Sequence, residues 1–306
     1  MFIENILTNT VMMSTPLMIG ALAEVLVERT GVMNIAIEGT FLMGAWAGFV
    51  GAYITGSLTV GLLSAVLAGV LTGALYGYIT VYLKQHQIVT GTAINILAPG
   101  LALYLYRVFF GIPLLPLQVE LLPTIPIFFL SDLPVVGRAF FNQNILTYAA
   151  FALIVAGFWV LFKTRTGLVI RSAGANPEAV DAAGINVERV RFGTVIFACA
   201  MDGLAGAFYS IGFLGLFTEN IIGGRGWIAF AICFLGNWNP IGVLVGSLVF
   251  GLADALSVVI RTSGVTMVPN EFVIAIPYIL TIVATIARRR FNVPAYLGIP
   301  YVKEGR

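Results

Sequence analysis

Apolar residues run along this chain in long blocks separated by short polar clusters. The clearest block is residues 39–83, which contain no charged side chain. A helix needs about 20 residues to cross the hydrocarbon core of a bilayer. This block therefore predicts two spans, with Thr55-Gly56-Ser57-Leu58-Thr59 as the turn between them. Further apolar stretches at 11–28, 88–110, 144–162, 192–214, 226–236, 241–260 and 271–287 bring the expected count to eight or nine helices. The 226–236 stretch is short for a crossing and reads as a half-helix that enters and turns back. Ala21-Leu22-Ala23 imitates a signal cleavage site, but the residues before it carry Glu4 and no Lys or Arg. Residues 11–28 therefore read as a retained first span. The expected fold class is all-α, a polytopic helical bundle in the lipid bilayer, forming one domain over 1–306.

Composition supports that reading and removes others. Only 10% of residues are charged and 59% are hydrophobic, with a mean hydropathy of +0.98. Soluble domains are roughly 25% charged. So few charges could not cover a water-exposed surface, which excludes a soluble enzyme, and the hydrophobicity excludes a disordered chain. A net charge of +2 gives no reason to expect a nucleic-acid partner. Cys199 and Cys233 lie in apolar runs and read as small buried hydrophobes.

The few charges are unevenly placed. Lys163, Arg165, Arg171, Arg189 and Arg191 share one loop, and Arg288, Arg289, Arg290, Lys303 and Arg306 lie in the C-terminal tail. With Arg29 and Lys84 they make twelve bases on one side, against Arg107, Arg138, Arg225 and Arg261 on the other. The positive-inside rule puts the twelve in the cytoplasm of a bacterial-type cell membrane, with the N-terminus outside and the C-terminus inside. Nine crossings agree with that parity. On this reading 163–191 is a cytoplasmic loop, 288–306 a cytoplasmic tail, and 111–143 an external segment. That segment holds Pro113, Pro116, Pro123, Pro126 and Pro134, and should be an extended, kinked covering rather than a helix. It reads either as an inert cap or as a docking surface.

Catalytic chemistry is not apparent. The nearest approach to a phosphate-binding loop, Gly157 to Thr164, has Phe162 where a second glycine is required. The single histidine, His86, sits in a short turn, and no catalytic or metal-binding constellation can be assembled around it. Asp202 and Asp254 fall within spans, where a charge costs on the order of 2.5–3.5 kcal/mol, so each should face a bundle interior or a wet cavity. Either a solute pathway or buried structural hydrogen bonding would account for them. Glu24 and Glu28 read as helix-end acids near Arg29, while Glu38 is open between the two roles.

Within 163–191, the stretch Gly174 to Gly184 reads as a complete short helix. Asn176 can cap it, Pro177 suits its first position, Glu178 and Asp181 complement its positive N-terminal dipole, and Gly184 can end it in the left-handed conformation. A helix this short is unstable alone. Its sharp boundaries and the small face of Ala179, Ala182 and Ala183 fit packing into a cleft, although an ordinary helical loop has the same signals.

The series Arg171-Ser-Ala-Gly-Ala-Asn176-Pro177-Glu-Ala179, followed by Ala183-Gly184-Ile185-Asn186-Val187, resembles the coupling loop of ATP-binding-cassette importer permeases of the ribose/nucleoside type. Residues 28–39, Glu28-Arg29-Thr30-Gly31-Val32-Met33-Asn34-Ile35-Ala36-Ile37-Glu38-Gly39, resemble a signature of the short permeases of nucleoside uptake systems. The similarity runs along nearly the whole chain and includes the Gly-rich 223–226 segment. It implies a transport subunit rather than an enzyme, binding no cofactor itself, with ATP and Mg on separate ATPase subunits. Those ATPases would engage Asn176, Pro177, Glu178, Ala179, Ala182, Gly184 and Ile185. It further implies a second, different permease and an external binding protein or lipoprotein. Polar residues interrupting apolar runs, Asn34, Glu38, Asn95, Asp202 and Asp254, are then expected to line the pathway for a neutral, hydroxylated solute. A permease for simple sugars or branched-chain amino acids is the alternative within this class. A secondary carrier or channel working without an ATPase is the alternative outside it.

Overall fold

Seven helices in the computed structural model, which describes residues 2–134, 136–262 and 291–303 and a few helical positions between 275 and 286, are long and apolar enough to cross a membrane. They are α1 (Phe2–Glu28), α2 (Ile37–Thr55), α3 (Leu58–Gly77, continued by a π-helical turn to Tyr82), α4 (Gln87–Phe110), α6 (Ile145–Lys163), α9 (Val187–Ala207, continued by a π-helical segment to Leu214) and α11 (Pro240–Thr262). The expected eight or nine is thus higher than the seven found among the described residues. Of the two differences, 271–287 lies largely outside the described residues. The other, α10 (Arg225–Leu235), has 11 residues and is too short to span alone.

Shorter elements connect the spans: α5 (Val136–Phe141), α7 (Arg165–Ala175), α8 (Pro177–Ala182), and a ribbon of β1 (Thr124–Pro126) antiparallel to β2 (Asn142–Asn144) with Thr124 opposite Asn144. The proline-rich 111–143 segment is therefore extended for much of its length but, against expectation, contains a helix. It begins just beyond Pro134, the last of the prolines that would interrupt it.

Glycine sets the packing. A Cβ on Gly44 would lie 2.3 Å from Gly203 O, and one on Gly203 would lie 2.2 Å from Ala65 O. On Gly206 it would meet Phe41 O at 1.9 Å, and on Gly69 it would meet Cys199 O at 2.1 Å. Helices α2, α3 and α9 thus pack backbone to backbone. Close approach is how membrane helices gain contact, because lipid tails remove the hydrophobic drive for side chains to associate. Outward faces of α3 and α4 carry Leu63, Leu67, Leu71, Ile96, Leu97 and Val108, all exposed, as a lipid-facing surface should. Helix α1 lies at the centre and is almost wholly buried.

The bundle has two distinct ends. At one, Glu4 of α1 pairs with Arg138 of α5 at 3.5 Å. At the other, Gly298 N donates to Gly31 O at 3.0 Å and Tyr296 N to Gly174 O at 2.9 Å. Lys84 pairs there with Glu188 at 3.4 Å, and Lys303 with Asp181 at 2.9 Å. Arg191, nearly fully buried, ties three segments of this end together. Its Nε donates to Thr30 O (3.0 Å), Nη1 to Ile299 O (2.9 Å) and Nη2 to Ala173 O (3.5 Å). Arg29, Lys84, the 163–191 loop and residues 291–303 therefore share one base-rich end.

Candidate functional site

The chain does not pass directly from α1 to α2. After Glu28 it turns, with Gly31 at φ +92°. Residues 32–36 then run back inside the bundle beside α4. Met33 N donates to Gln87 Oε1 at 2.8 Å, Tyr76 OH donates to Met33 O, and Asn95 Nδ2 donates to Ile35 O at 2.7 Å. Asn95 Oδ1 also accepts from Gly39 N at 2.8 Å. Asn95 is eight residues into α4, about 12 Å along its axis. Helix α2 therefore starts in the interior. Non-helical backbone at such depth must be satisfied by protein groups, and the Asn95 amide serves the carbonyl before α2 and an N–H within its first turn.

A second interrupted element meets it. Gly215 O accepts from Val119 N at 2.8 Å, at the base-poor end. Residues 215–224 descend irregularly, α10 follows, and Trp238 O is held at the base-rich end by Arg29 Nε (3.0 Å) and Nη2 (2.8 Å). Residues 215–238 thus traverse the bundle, half irregular and half helical. The expectation that 226–236 enters and turns back is corrected: its length is insufficient, and irregular backbone completes the crossing.

The two interruptions share one carboxylate. Glu38 Oε1 accepts from Gly224 N and Oε2 from Gly226 N, each at 2.8 Å. The N-terminus of a helix exposes unpaired N–H groups and a positive partial charge, so a carboxylate is a well-matched cap for α10. Arg225 points elsewhere, pairing with Asp254 at 3.2 Å while its guanidinium lies 5.4 Å from the Tyr209 ring centre. The sequence reading had assigned Arg225 to an outer loop. It opens α10 instead, level with Glu38, and neutralises Asp254.

Nearer the base-rich end lies a fully buried cluster of acids. Asn34 Nδ2 donates to Glu24 Oε1 at 2.8 Å and to Asp202 Oδ2 at 3.2 Å. Glu28 accepts from Trp238 Nε1 and from Cys233 Sγ (3.7 Å). Glu24, Glu28, Asn34, Asp202 and Trp238 are each 0% exposed. Glu24 and Glu28 are therefore not surface helix-end acids beside Arg29, whose side chain goes to the Trp238 carbonyl. That arginine is itself partly buried, and burial lowers its pKa from the ordinary guanidinium value.

Of the five polar residues singled out from the sequence, Asn34 and Asp202 touch, Glu38 and Asn95 flank the start of α2, and Asp254 joins only through Arg225. Sequence reading missed Glu24 as Asn34's second acceptor, Arg225 as Asp254's partner and Arg191 as the fastener. One signal was available for Arg225: it stands within Gly223-Gly224-Arg225-Gly226, where glycines permit a close approach. A Cβ on Gly226 would lie 2.7 Å from Glu38 Cα.

At the base-rich end, α7 and α8 form an outer shelf. Sequence reading identified α8 but not α7, whose Thr164 cap accepts from Gly167 N at 3.1 Å. In α8, Asn176 Oδ1 accepts from Ala179 N at 3.0 Å and Pro177 occupies the first turn. Gly184 follows the helix at φ +81°. Pro177 and Val180 face inward, whereas Glu178, Ala179, Ala182 and Gly184 are exposed and Ile185 is half-buried.

A sequence profile described as a branched-chain amino acid transport system / permease component matches residues 6–285. The chain belongs to this permease family. The permease is 34% identical to the nucleoside ABC transporter permease protein NupC of Lactococcus lactis over 98% of both chains. It is 35% identical to the guanosine ABC transporter permease protein NupQ of Bacillus subtilis, over 98% of this chain and 97% of that one. It is also 28% identical to the glucose ABC transporter permease protein TsgB13 of Haloferax volcanii, over 82% of this chain and 70% of that one. The permease is thus a multi-pass membrane subunit of the ABC-transporter type, as its apolar helices require.

Proposed function

We propose that this permease moves nucleosides inward through a path gated where α2 and α10 begin. Near-full-length similarity to NupC and NupQ supports the substrate class. The observation that carries the gating role is the capping of α10 by Glu38 of α2, since two interrupted helices that share one carboxylate must move together or separate. Discontinuous helices with polar termini in the interior are the usual way a membrane protein presents hydrogen-bonding groups to a polar solute. A nucleoside is neutral and rich in hydroxyl groups. Glu38, Asn95, Asn34, Asp202 and Asp254 offer acceptors and donors, with Asp254 paired to Arg225.

Energy comes from partner ATPase subunits carrying ATP and Mg, which seat against α8 at its exposed Asn176, Glu178, Ala179, Ala182 and Gly184, with Pro177 beneath them and Ile185 at the edge. The N-terminus lies outside and the base-rich end in the cytoplasm, so α8 faces the compartment that holds ATP. A second, different permease completes the pathway, and an external binding protein delivers the solute near 111–143. Because only a difference in affinity between two states can shift them, ATP binding must favour one arrangement of α7–α8 over the other.

The test is uptake by proteoliposomes containing the permease, its co-purifying subunits and the binding protein. Labelled guanosine should accumulate only with ATP, with competition by other nucleosides and not by glucose or leucine. Accumulation of glucose or leucine instead, or uptake of nucleoside by the permease without any ATPase, overturns the reading.

A further inference from the structure

A groove of about 280 Å³ opens sideways from the bundle at its base-rich half. Helices α6 and α9 form its walls, α1 its floor and α7 its closed end, with Leu22, Val160, Ile170, Phe197 and Met201 among the lining side chains. Its lining is almost wholly apolar, interrupted only by Thr166 and Thr194 towards the end closed by α7. From Gly193 to Met201 it follows α9 for about 12 Å. An apolar slot of this length running along a span can take a hydrocarbon chain without leaving a polar group unpaired.

Charge at the closed end narrows the occupant further. Arg165 directly precedes Thr166 in α7. Arg189 lies four residues before Gly193 and so on the same face of α9, about one turn nearer the base-rich end. Both are exposed, and neither takes part in the ion pairs found among the described residues. Of the other bases at this end, Lys84 pairs with Glu188, Lys303 with Asp181, Arg29 with the Trp238 carbonyl and Arg191 with three carbonyls, the Arg171 guanidinium lies 5.2 Å from the Phe162 ring centre, and Lys163, two residues before Arg165, is exposed as well. Two exposed guanidinium groups on the α7 and α9 segments that end the apolar slot would suit a phosphate above an acyl chain, and guanidinium is the side chain best shaped for phosphate oxygens.

We propose that the groove between α6 and α9 binds an anionic phospholipid, its acyl chain lying along α1 and its phosphate held by Arg165 and Arg189. The lipid would bridge α7, which adjoins the α8 shelf, to the spans α6 and α9, so lipid composition would influence how firmly that shelf is held.

The experiment measures lipids retained by the complete transporter after detergent extraction from membranes containing phosphatidylglycerol and phosphatidylethanolamine. Two variants separate the chain from the headgroup. Arg165→Gln/Arg189→Gln leaves the groove intact. Gly193→Phe fills it and leaves both bases in place, and nothing lies within 4 Å of a Cβ there, so the fold should tolerate it. The unaltered protein should retain phosphatidylglycerol in excess over its share of the membrane. That enrichment should fall about fivefold for each base removed, while Gly193→Phe should lose retained lipid of either headgroup. Equal headgroup selectivity in the double Gln variant, or unchanged lipid retention in Gly193→Phe, overturns the proposal. So does efficient crosslinking of a cysteine at position 193 to a second permease, which would show protein rather than lipid against the groove.

Discussion

Glu38 Oε2 accepts the backbone N–H of Gly226 at 2.8 Å across 188 positions of sequence, while its other oxygen takes Gly224. One side chain at the start of α2 thereby ends the unpaired run of N–H groups at the start of α10. Removing it leaves two donors, at half-buried Gly224 and buried Gly226, without this partner, and hydrogen bonds to a charged group contribute about 1.5–3 kcal/mol each. Glu38→Ala should lower the melting temperature of the purified permease and abolish uptake. Glu38→Gln keeps the size and one acceptor oxygen, and should retain folded protein while reducing transport at least tenfold. Thermal unfolding in detergent alongside nucleoside uptake checks both. Wild-type uptake by Glu38→Gln would remove the carboxylate from the gate.

Arg191 provides a sharper stability test. It supplies donors to Thr30, Ala173 and Ile299 carbonyls, and truncation strands those carbonyls at about 1–3 kcal/mol each. Arg191→Ala should destabilise by several kcal/mol and loosen residues 291–303, seen as faster amide exchange there. Arg191→Lys keeps the charge but not the fork, and should fall between the two.

The glycine contact between α9 and α3 leaves no room for a methyl group. Gly203→Ala places Cβ 2.2 Å from Ala65 O, so the helices must separate along their crossing. Small-to-large changes in packed interiors cost about 1–3 kcal/mol or more. Folded yield by fluorescence-detected size exclusion should drop sharply for Gly203→Ala. Gly100→Ala serves as the control, since nothing lies within 4 Å of a Cβ at that site.

Helix α8 should be sensitive at both ends. Asn176→Ala removes a cap and costs about 1 kcal/mol. Gly184→Ala forces a side chain into φ +81°, at a cost of about 1–2 kcal/mol. Each should reduce substrate-stimulated ATP hydrolysis by the full complex in step with uptake, with little change in permease abundance in the membrane. Undiminished coupling in both variants would separate α8 from energy transfer.

Local chemistry made α8 legible. Asn176, Pro177 and Gly184 act on backbone within a few residues of themselves, so their order along the chain suffices to locate the helix. The seven described spans were legible for a similar reason, because the bilayer imposes length and hydropathy on each span separately. α7 was not read, since its four basic and polar side chains Arg165, Thr166, Arg171 and Ser172 resemble an ordinary loop. Arg225 was misplaced because charge was counted by loop. Its actual partner, Asp254, lies 29 residues away on another helix. Glu24 and Glu28 were misread because a helix-end acid beside an arginine looks solvated until Asn34, Asp202 and Trp238 are folded over it.

By itself the sequence determined the environment, the approximate run of helices, the base-rich end and the bounds of α8. Each follows from composition or from interactions within one turn. Tertiary structure alone decided that α2 and α10 begin inside the bundle, that Glu38 joins them, and that the acids gather on Asn34. Those outcomes depend on backbone groups that the bilayer cannot satisfy, and their partners are fixed only when distant helices pack.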